Sequence, residues 1–376
     1  MSAGFAAQPL PPWRRAVLKV GSGLLADPAG GLAPEHAMAL AAFIGDALAR
    51  GREVVLVSSG AVAAGRARAR GAGDGLSQRQ ALAALGQAAL IGFWQSLLPL
   101  PVAQVLLTHD DLRDRRRWLN ARGTLRELLR LGALPVVNEN DTVAVDELKL
   151  GDNDNLAAAV ASLVDAELLL IATDIGGLYD GHPRHDPAAR PVMRVEAVTP
   201  ALLALAGGAG SVLGTGGMRT KLQAAAKAAD AGIATALFSG RAAETVAALA
   251  HDRLHGTLVE PAGERLGARK QWLRHAPLAG GLEVDAGAAE ALASRGASLL
   301  PGGVRKVEGG FRRGDVVEVR GPDGAPLAHG LAQYAAADLC RIAGRHSREI
   351  ESLLGFRYGE AVIHRDDLVR IRKEKT

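Results

Sequence analysis

Aromatic residues and cysteines are scarce in this sequence. Only 3% of its 376 residues are Phe, Trp or Tyr, and Cys340 is the single cysteine. One cysteine excludes an internal disulfide bond, which favours a reducing compartment. We interpret Cys340 as a buried small apolar residue rather than a nucleophile. Because 48% of the residues are nevertheless hydrophobic, we expect an aliphatic core large enough for one large domain or two domains.

Long apolar runs and a strong net charge are also missing. No apolar stretch approaches the roughly 20 residues needed to cross a bilayer, and residues 1–13 lack the apolar region of a secretory signal. We therefore predict a cytoplasmic protein without membrane association, with residues 1–13 as a flexible extension. The net charge is only +4 and the arginines are scattered, which argues against nucleic acid as the main partner. We interpret the arginine run at 113–118 as a solvated helix face or a subunit contact.

Short apolar runs alternate with longer Ala- and Leu-rich stretches from Arg14 to about residue 258. The runs lie at 16–20, 53–59, 101–108, 133–138, 167–173 and 234–239. The stretches between them predict helices at about 34–50, 60–70, 77–98, 111–131, 153–164 and 218–231. This alternation indicates right-handed crossovers and a mainly parallel sheet with helices on both faces. We therefore expect a three-layer α/β/α sandwich over residues 14–258.

The composition changes after residue 258. Residues 259–276 are rich in Gly, Pro and Arg and are interpreted as a linker. Short β-like runs separated by glycine follow, and they predict a small, β-barrel-like domain with helical pieces at 277–357. The remaining residues, 358–376, are assigned to a C-terminal tail.

Polar and small residues follow most of the apolar runs. Ser59 and Gly60 stand at the end of the second run, Asn138 and Asp141 at the end of the fourth, and Thr173 and Asp174 at the end of the fifth. Ligands of parallel α/β sheets bind outside the carboxyl ends of the strands. Any one of these ends is compatible with an ordinary turn or helix cap, but several on one rim favour a binding site.

Two lysines stand in unfavourable positions. Lys19 interrupts an apolar strand, where an unpaired ammonium would lose its hydration. Lys221 lies in the first turn of the helix predicted from residue 218, where the helix dipole favours anions. A bound phosphate would supply the missing negative charge at both. The glycines near these lysines match neither the dinucleotide fingerprint nor the Walker pattern, so a nucleotide site here must have another design.

The segment at 138–160 concentrates carboxylates and amides. The simplest interpretation is that Asp152 or Asn153 caps the helix that begins near Leu156. A calcium loop is a poor match, since Leu156 stands where a ligand belongs. We favour a third interpretation, in which these amides and carboxylates bind the amino group of a zwitterionic substrate while Asp154 orients the lysines.

In their order along the chain, these motifs resemble the amino-acid kinase family. The resemblance rests on VLKVGSG, VSSGAVAAG, PVVNENDTVAV, GDNDNLAA, ATDIGGLYD and GTGGMRTKLQAA. It is closest to the members that phosphorylate the gamma-carboxylate of L-glutamate with ATP and Mg²⁺, at the start of proline biosynthesis. The end of the chain looks like a PUA domain, through SLLPGGV, RGDVVEV and AHGLAQY.

The resemblance implies a role for each candidate residue. Lys19 would contact the ATP phosphates, Lys221 would stabilise the transferring phosphoryl group or the leaving phosphate, and Asp154 would hold both lysines in place. Glutamate would be bound by Ser59, Gly60, Asn138, Asp141 and Asn153. The nucleotide would be bound by Lys19, Thr173, Asp174, Thr215, Gly216, Gly217, Met218, Arg219, Thr220 and Lys221. Mg²⁺ would be carried by the ATP phosphates, without a dedicated set of protein ligands. Feedback inhibition by proline and a homo-oligomeric state are further expectations.

Two alternatives stay open at this point. Within the same family, the substrate could be aspartate or N-acetylglutamate, although the paired NEND and GDNDN motifs and the appended domain favour glutamate. In a different class, the C-terminal domain, with Arg312 and Arg313, suggests an RNA-binding or RNA-modifying protein. A structural or regulatory appendage is the favoured interpretation of that domain.

Overall fold

The computed structural model describes residues 4–69, 73, 75–144, 153–181, 186, 188–206, 217–262, 273 and 278–371. The chain divides into two compact units, Met1–Arg265 and Leu266–Thr376, and each unit has its own sheet. Within the described residues, no helix combines the length and apolar character that a membrane span requires.

A nine-stranded sheet forms the centre of the first unit as described. Its strands are β1 (Ala7–Pro9), β2 (Arg15–Val20), β3 (Glu53–Ser58), β4 (Val102–Leu107), β5 (Leu134–Glu139), β6 (Leu168–Thr173), β7 (Arg194–Val195), β8 (Ala234–Ser239) and β9 (Arg253–Val259). The order across the sheet is β1-β9-β8-β6-β2-β3-β5-β4, with β7 beside β9. Neighbours from β8 to β4 are parallel, whereas β9 is antiparallel to β8 and to β1.

Helices cover both faces of this sheet. They are α1 (Ala37–Ala49), α2 (Ala61–Arg66), α3 (Leu76–Leu97), α4 (His109–Arg113), α5 (Arg115–Arg130), α6 (Asn153–Leu163), α7 (Pro200–Leu205), α8 (Met218–Asp230) and α9 (Ala243–Leu249). Successive side chains of a strand point to opposite faces: Leu18 of β2 packs in the cluster with α1, α3 and α9. Its neighbour Val17 packs in the cluster with α5, α6 and α8. The predicted three-layer sandwich with a mainly parallel sheet is therefore confirmed.

Two helices of the first unit approach unusually closely. A Cβ atom on Gly65 of α2 would lie 1.9 Å from the carbonyl oxygen of Leu82, and one on Gly86 of α3 would lie 1.8 Å from that of Ala61. Only glycine fits at such a distance between backbones. This contact fixes α3 next to the chain that leaves the carboxyl end of β3.

The second unit contains a five-stranded sheet in the order β11-β10-β12-β13-β14. Its strands are β10 (Gly280–Val284), β11 (Val304–Glu308), β12 (Val316–Arg320), β13 (Pro326–Leu331) and β14 (Leu368–Arg370). Short helices α10 (Ala286–Glu290), α11 (Ala336–Ile342) and α12 (Ile350–Leu354) accompany it. Leu282, Val317 and Tyr334 belong to a separate buried cluster, which gives this unit a hydrophobic core of its own.

The two ends of the chain differ from the sequence-based expectation. The supposed flexible extension at 1–13 contributes β1, in which Ala7 pairs with His255 and the Gln8 side chain donates to the carbonyl of Gly256. The supposed tail at 358–376 contributes β14, in which Val369 pairs with His329. Both strands satisfy their backbone groups at a sheet edge, through partners that a local sequence pattern does not reveal.

Cys340 was wrongly expected to be buried. It is exposed, because the buried positions of α11 are Ala336, Leu339 and Ile342. These three share one face of the helix, and Cys340 lies outside it. Much of the predicted linker, at 263–272 and 274–276, lies outside the described residues.

Candidate active site

The candidate site lies where the parallel strands of the first unit end and α6 and α8 begin. Lys19 is the penultimate residue of β2. Asp154 lies in the first turn of α6, and Lys221 lies near the start of α8. α6 and α8 pack against each other on the same face of the sheet. This packing brings together three charged side chains that are far apart in the sequence.

Asp154 joins the two lysines. The Lys19 ammonium lies 2.6 Å from Asp154 Oδ1, and the Lys221 ammonium lies 3.3 Å from Oδ2. All three residues are buried, with 5%, 1% and 7% of the surface of Lys19, Asp154 and Lys221 exposed. The Thr220 hydroxyl lies 2.8 Å from Asp154 Oδ2. One carboxylate thus fixes two ammonium groups at the edge of the sheet.

The electrostatics of this cluster favour an added anion. Burial alone would raise the pKa of Asp154, but Lys19 and Lys221 outweigh it and hold the pKa at about 2. Burial lowers the pKa of the Lys221 ammonium; Asp154 opposes this effect and Lys19 adds to it. Both buried cations lie against Asp154, and the charge of Asp174 also raises the pKa of Lys221. A bound anion such as a phosphate would further offset the cost of burying them.

A second cluster, made of amides and a hydroxyl, begins at the residue before Asp154. Asn153 Nδ2 donates to Ser59 Oγ at 2.8 Å and to Asn138 Oδ1 at 2.9 Å. Asn138 Nδ2 in turn donates to Gln87 Oε1 at 3.1 Å. Asn153 is 2% exposed and Asn138 is 3% exposed. We call these four residues the amide relay.

Gln87 belongs to the relay and was missed by sequence reasoning. It lies on α3 and is 8% exposed, among buried apolar neighbours such as Leu90 and Trp94. A neutral glutamine in an Ala-rich helix gives little signal, because such residues usually face solvent. The available clue was its position, three residues before Leu90 and seven before Trp94, on the apolar face of the helix.

Gly60 and Asp141 lie on the same rim. Gly60 precedes α2 with φ +116°, a left-handed conformation that favours glycine. Asp141 follows β5 in a turn. Burial raises the pKa of Asp141 to about 6, and the charge of Glu139 adds to this effect. Asp141 therefore titrates near neutral pH.

Of the residues predicted to bind a nucleotide, Thr173 and Asp174 lie at the carboxyl end of β6, and Gly217 to Lys221 lie at the start of α8. The Thr173 hydroxyl donates to Asp174 Oδ1 at 3.2 Å. Gly217 caps α8, and Met218, Arg219 and Thr220 form its first turn, where backbone N–H groups lack intrahelical acceptors. Thr215 and Gly216 lie outside the described residues.

The described part of the chain holds no group of three or more His, Cys, Asp or Glu residues arranged to bind a metal ion. The rim instead offers two adjacent kinds of chemistry. The lysine cluster and the start of α8 suit phosphate, while the relay offers hydroxyl and amide groups to a polar substrate. Asn153 and Asp154 are consecutive, so the two sites share one helical turn.

The chain matches the model of the amino acid kinase family over residues 14–239 and the model of the PUA domain over residues 280–354. It is 62% identical over 373 residues to the glutamate 5-kinase of Xylella fastidiosa (strain 9a5c), which covers 97% of both chains. It is 65% identical over 360 residues to the glutamate 5-kinase of Xanthomonas euvesicatoria pv. vesicatoria (strain 85-10), which covers 94% of this chain and 99% of that relative.

Proposed function

The chain belongs to the amino acid kinase family, and from this premise we propose that it transfers the γ-phosphoryl group of ATP to the γ-carboxylate of L-glutamate. The products are L-glutamyl 5-phosphate and ADP. The observation that carries the proposal is the pair Asn153 and Asp154, which links the amide relay to the two lysines. An amino acid bound at the relay would have its reacting group near a phosphate bound at the lysines.

The reaction needs charge stabilisation rather than a base. A glutamate side chain has an ordinary pKa near 4.3 and is ionised at neutral pH. One carboxylate oxygen attacks the γ-phosphorus, the bond to the β-phosphate oxygen breaks, and that oxygen keeps the electron pair as ADP leaves. Two anions must approach each other, so the main contribution of the protein is positive charge in fixed positions.

Lys19 and Lys221 supply that charge in the proposed mechanism. Lys19 contacts the ATP phosphates, and Lys221 stabilises the transferring phosphoryl group together with the N–H groups at the start of α8. Asp154 acts as a positioning residue, since a carboxylate with a pKa of about 2 is a poor proton acceptor at neutral pH. Mg²⁺ would be carried by the ATP phosphates and would offset part of their charge.

The proposed glutamate site uses Ser59, Gly60, Asn138, Asp141 and Asn153. The Ser59 hydroxyl and the Gly60 N–H are donors for a carboxylate, and the ionised form of Asp141 attracts the ammonium group. For the nucleotide, we propose contacts from Thr173 and Asp174 at the end of β6 and from residues 217–221 at the start of α8. Thr215 and Gly216 are proposed as nucleotide contacts from the sequence alone.

Trapping the acyl phosphate with hydroxylamine tests the proposal. Purified protein is incubated with ATP, Mg²⁺ and, in separate reactions, L-glutamate, L-aspartate or N-acetylglutamate. We expect the glutamate hydroxamate, with ADP formed in equal amount, and little product from the other two acids. Hydroxamate from N-acetylglutamate or aspartate, with none from glutamate, would overturn the substrate assignment.

The proposal extends to regulation and context. We propose that the reaction is the first step of proline biosynthesis in the cytoplasm and that proline inhibits it at the glutamate site. Proline presents an ammonium and a carboxylate, so the groups that hold glutamate suit it as well. Initial rates measured against proline at several glutamate concentrations test this, and insensitivity to proline would reject it. We also propose a homo-oligomer, which sedimentation velocity distinguishes from a monomer.

A further inference from the structure

Three side chains of α3, spaced seven residues apart, reach toward the rim of the sheet. Gln80 donates to the carbonyl of Ala144 at 3.2 Å, and Gln87 accepts from Asn138 at 3.1 Å. The Trp94 indole N–H donates to Ser58 Oγ at 2.9 Å. Seven residues are about two helical turns, so the three lie on one face. Of these contacts, that of Gln87 leads directly into the amide relay.

A glutamine at position 87 lowers the stability of the protein if its role is only structural. The residue is buried, and its Nε2 atom has no hydrogen-bond partner among the described residues. A buried, unpaired N–H group destabilises a protein, and an apolar side chain of similar length, such as methionine, would avoid that cost. What the amide provides is an acceptor for Asn138.

In the structure the Gln87 oxygen faces Asn138, and the other hydrogen bonds of the relay follow that direction. Because Gln87 Oε1 accepts from Asn138 Nδ2, the Asn138 oxygen is directed to accept from Asn153. Asn153 then uses one N–H on Asn138 and the other on Ser59. Ser59 Oγ is therefore an acceptor within the relay, which leaves its own proton to be donated elsewhere.

Loss of the acceptor on α3 would allow the opposite arrangement. The Asn138 amide could turn over and donate to Asn153, whose amide would then turn its oxygen toward Ser59. The Ser59 hydroxyl would donate to that oxygen, and its proton would no longer be available to a ligand. The donor and acceptor pattern of the site would thus be reversed without any movement of the backbone.

We propose that Gln87 is a positioning residue for the amino-acid substrate: by accepting from Asn138 it keeps the Ser59 proton directed at a substrate carboxylate. This inference rests on the proposed function and adds to it a residue that does not touch the substrate. The close contact of α2 and α3 at Gly86 holds the adjacent Gln87 in reach of Asn138.

The test compares Gln87→Met with a matched control on the same helix, Gln95→Met. Gln95 binds the carbonyl of Leu100 and the N–H of Val102, away from the relay. We expect Gln87→Met to raise the KM for glutamate about tenfold, as for the loss of one hydrogen bond to a substrate. The KM for ATP should stay within about twofold of the wild type. Gln95→Met should lower Tm and leave both KM values unchanged.

A double variant separates the positioning role from a general loosening of the site. In the Ser59→Ala background no serine proton remains to be directed, so adding Gln87→Met should change the KM for glutamate by less than about twofold. An equal rise in both backgrounds, or a rise in the KM for ATP that matches the rise for glutamate, would overturn the inference. Hydroxamate formation by the wild type identifies the acid that is phosphorylated and tests the proposed function separately. The ratios of KM between the variants, measured with that acid, test the role of Gln87.

Discussion

Asp154→Asn replaces the carboxylate between Lys19 and Lys221 by a neutral amide of the same shape. At pH 7 the wild-type carboxylate is fully ionised, because its pKa is about 2 in the folded protein instead of the ordinary 3.8. That difference corresponds to about 2 to 3 kcal/mol of stability, which is present above pH ~4 and is lost as the pH falls through the folded-state pKa. The variant loses this contribution and leaves two buried ammonium groups without their shared partner.

The expected cost is about 3 kcal/mol, at the lower end of the range for breaking a buried ion pair. Burial already lowers the pKa of Lys221 in the wild type. Removing Asp154 lowers it further, so the folded variant releases protons at a lower pH than the unfolded chain does. The stability of Asp154→Asn should therefore recover relative to the wild type as the pH is raised from about 7 toward 10.

Thermal unfolding followed by calorimetry measures both effects. For a unit of this size, we expect a fall in Tm of about 5 to 10 °C at pH 7 and a smaller difference at pH ~9. The kcat should fall at least about 100-fold, because the lysines lose the group that positions them.

The matched control is Asp252→Asn. Asp252 pairs with Arg52 through two hydrogen bonds of 2.7 and 2.8 Å, but its side chain is 42% exposed. Its loss should cost less than about 1 kcal/mol and leave kcat unchanged. A Tm for Asp154→Asn within about 2 °C of the wild type, with no dependence of the difference on pH, would refute the buried ion cluster.

Three further predictions follow from the same rim and its supporting helices. Lys221→Ala should lower kcat at least about 100-fold while the fold is retained by circular dichroism, and near-normal turnover would remove its proposed role. The KM for glutamate should fall as the pH rises through about 6, where Asp141 ionises, and Asp141→Asn should flatten this profile; a flat wild-type profile would contradict the assignment. Gly86→Ala, whose Cβ would lie 1.8 Å from the Ala61 oxygen, should cost about 2 kcal/mol or more in unfolding by denaturant. Gly92→Ala, with no atom within 4 Å of the new Cβ, should instead raise the free energy of unfolding by about 0.5 to 1 kcal/mol. Equal denaturation midpoints for Gly86→Ala and Gly92→Ala would refute the packing argument.

Charge in an apolar pattern was the most informative signal in the sequence. Lys19 stood out because it interrupts a strand that is otherwise buried, and the structure places its partner, Asp154, 2.6 Å away. The strand and helix periodicities predicted the sandwich, because each parallel strand and its helix are neighbours in the sequence. The same local pattern predicted one helix over 111–131, whereas Asp114 ends α4 and caps α5 by accepting from the N–H groups of Arg116 and Arg117.

Contacts between distant segments escaped the sequence pattern. Gln8 of β1 reaches a carbonyl 248 residues away, and the strand it belongs to is too short to show a period. Gln87 of α3 was missed because its role depends on its hydrogen-bond donor, Asn138, which lies on β5 and is 51 residues away in the sequence. Local periodicity indicates which face of a helix or strand is apolar. It does not indicate which buried polar group of a distant segment that face contacts.

Transfer of labelled oxygen tests the central claim most directly. L-glutamate labelled with oxygen-18 in the γ-carboxylate is incubated with ATP, Mg²⁺, hydroxylamine and the wild-type protein, and the released phosphate is analysed by mass spectrometry. If a carboxylate oxygen attacks the γ-phosphorus between the two lysines, each phosphate released with the hydroxamate carries one labelled oxygen from glutamate. Phosphate without label would mean that water attacks ATP, and it would contradict the account.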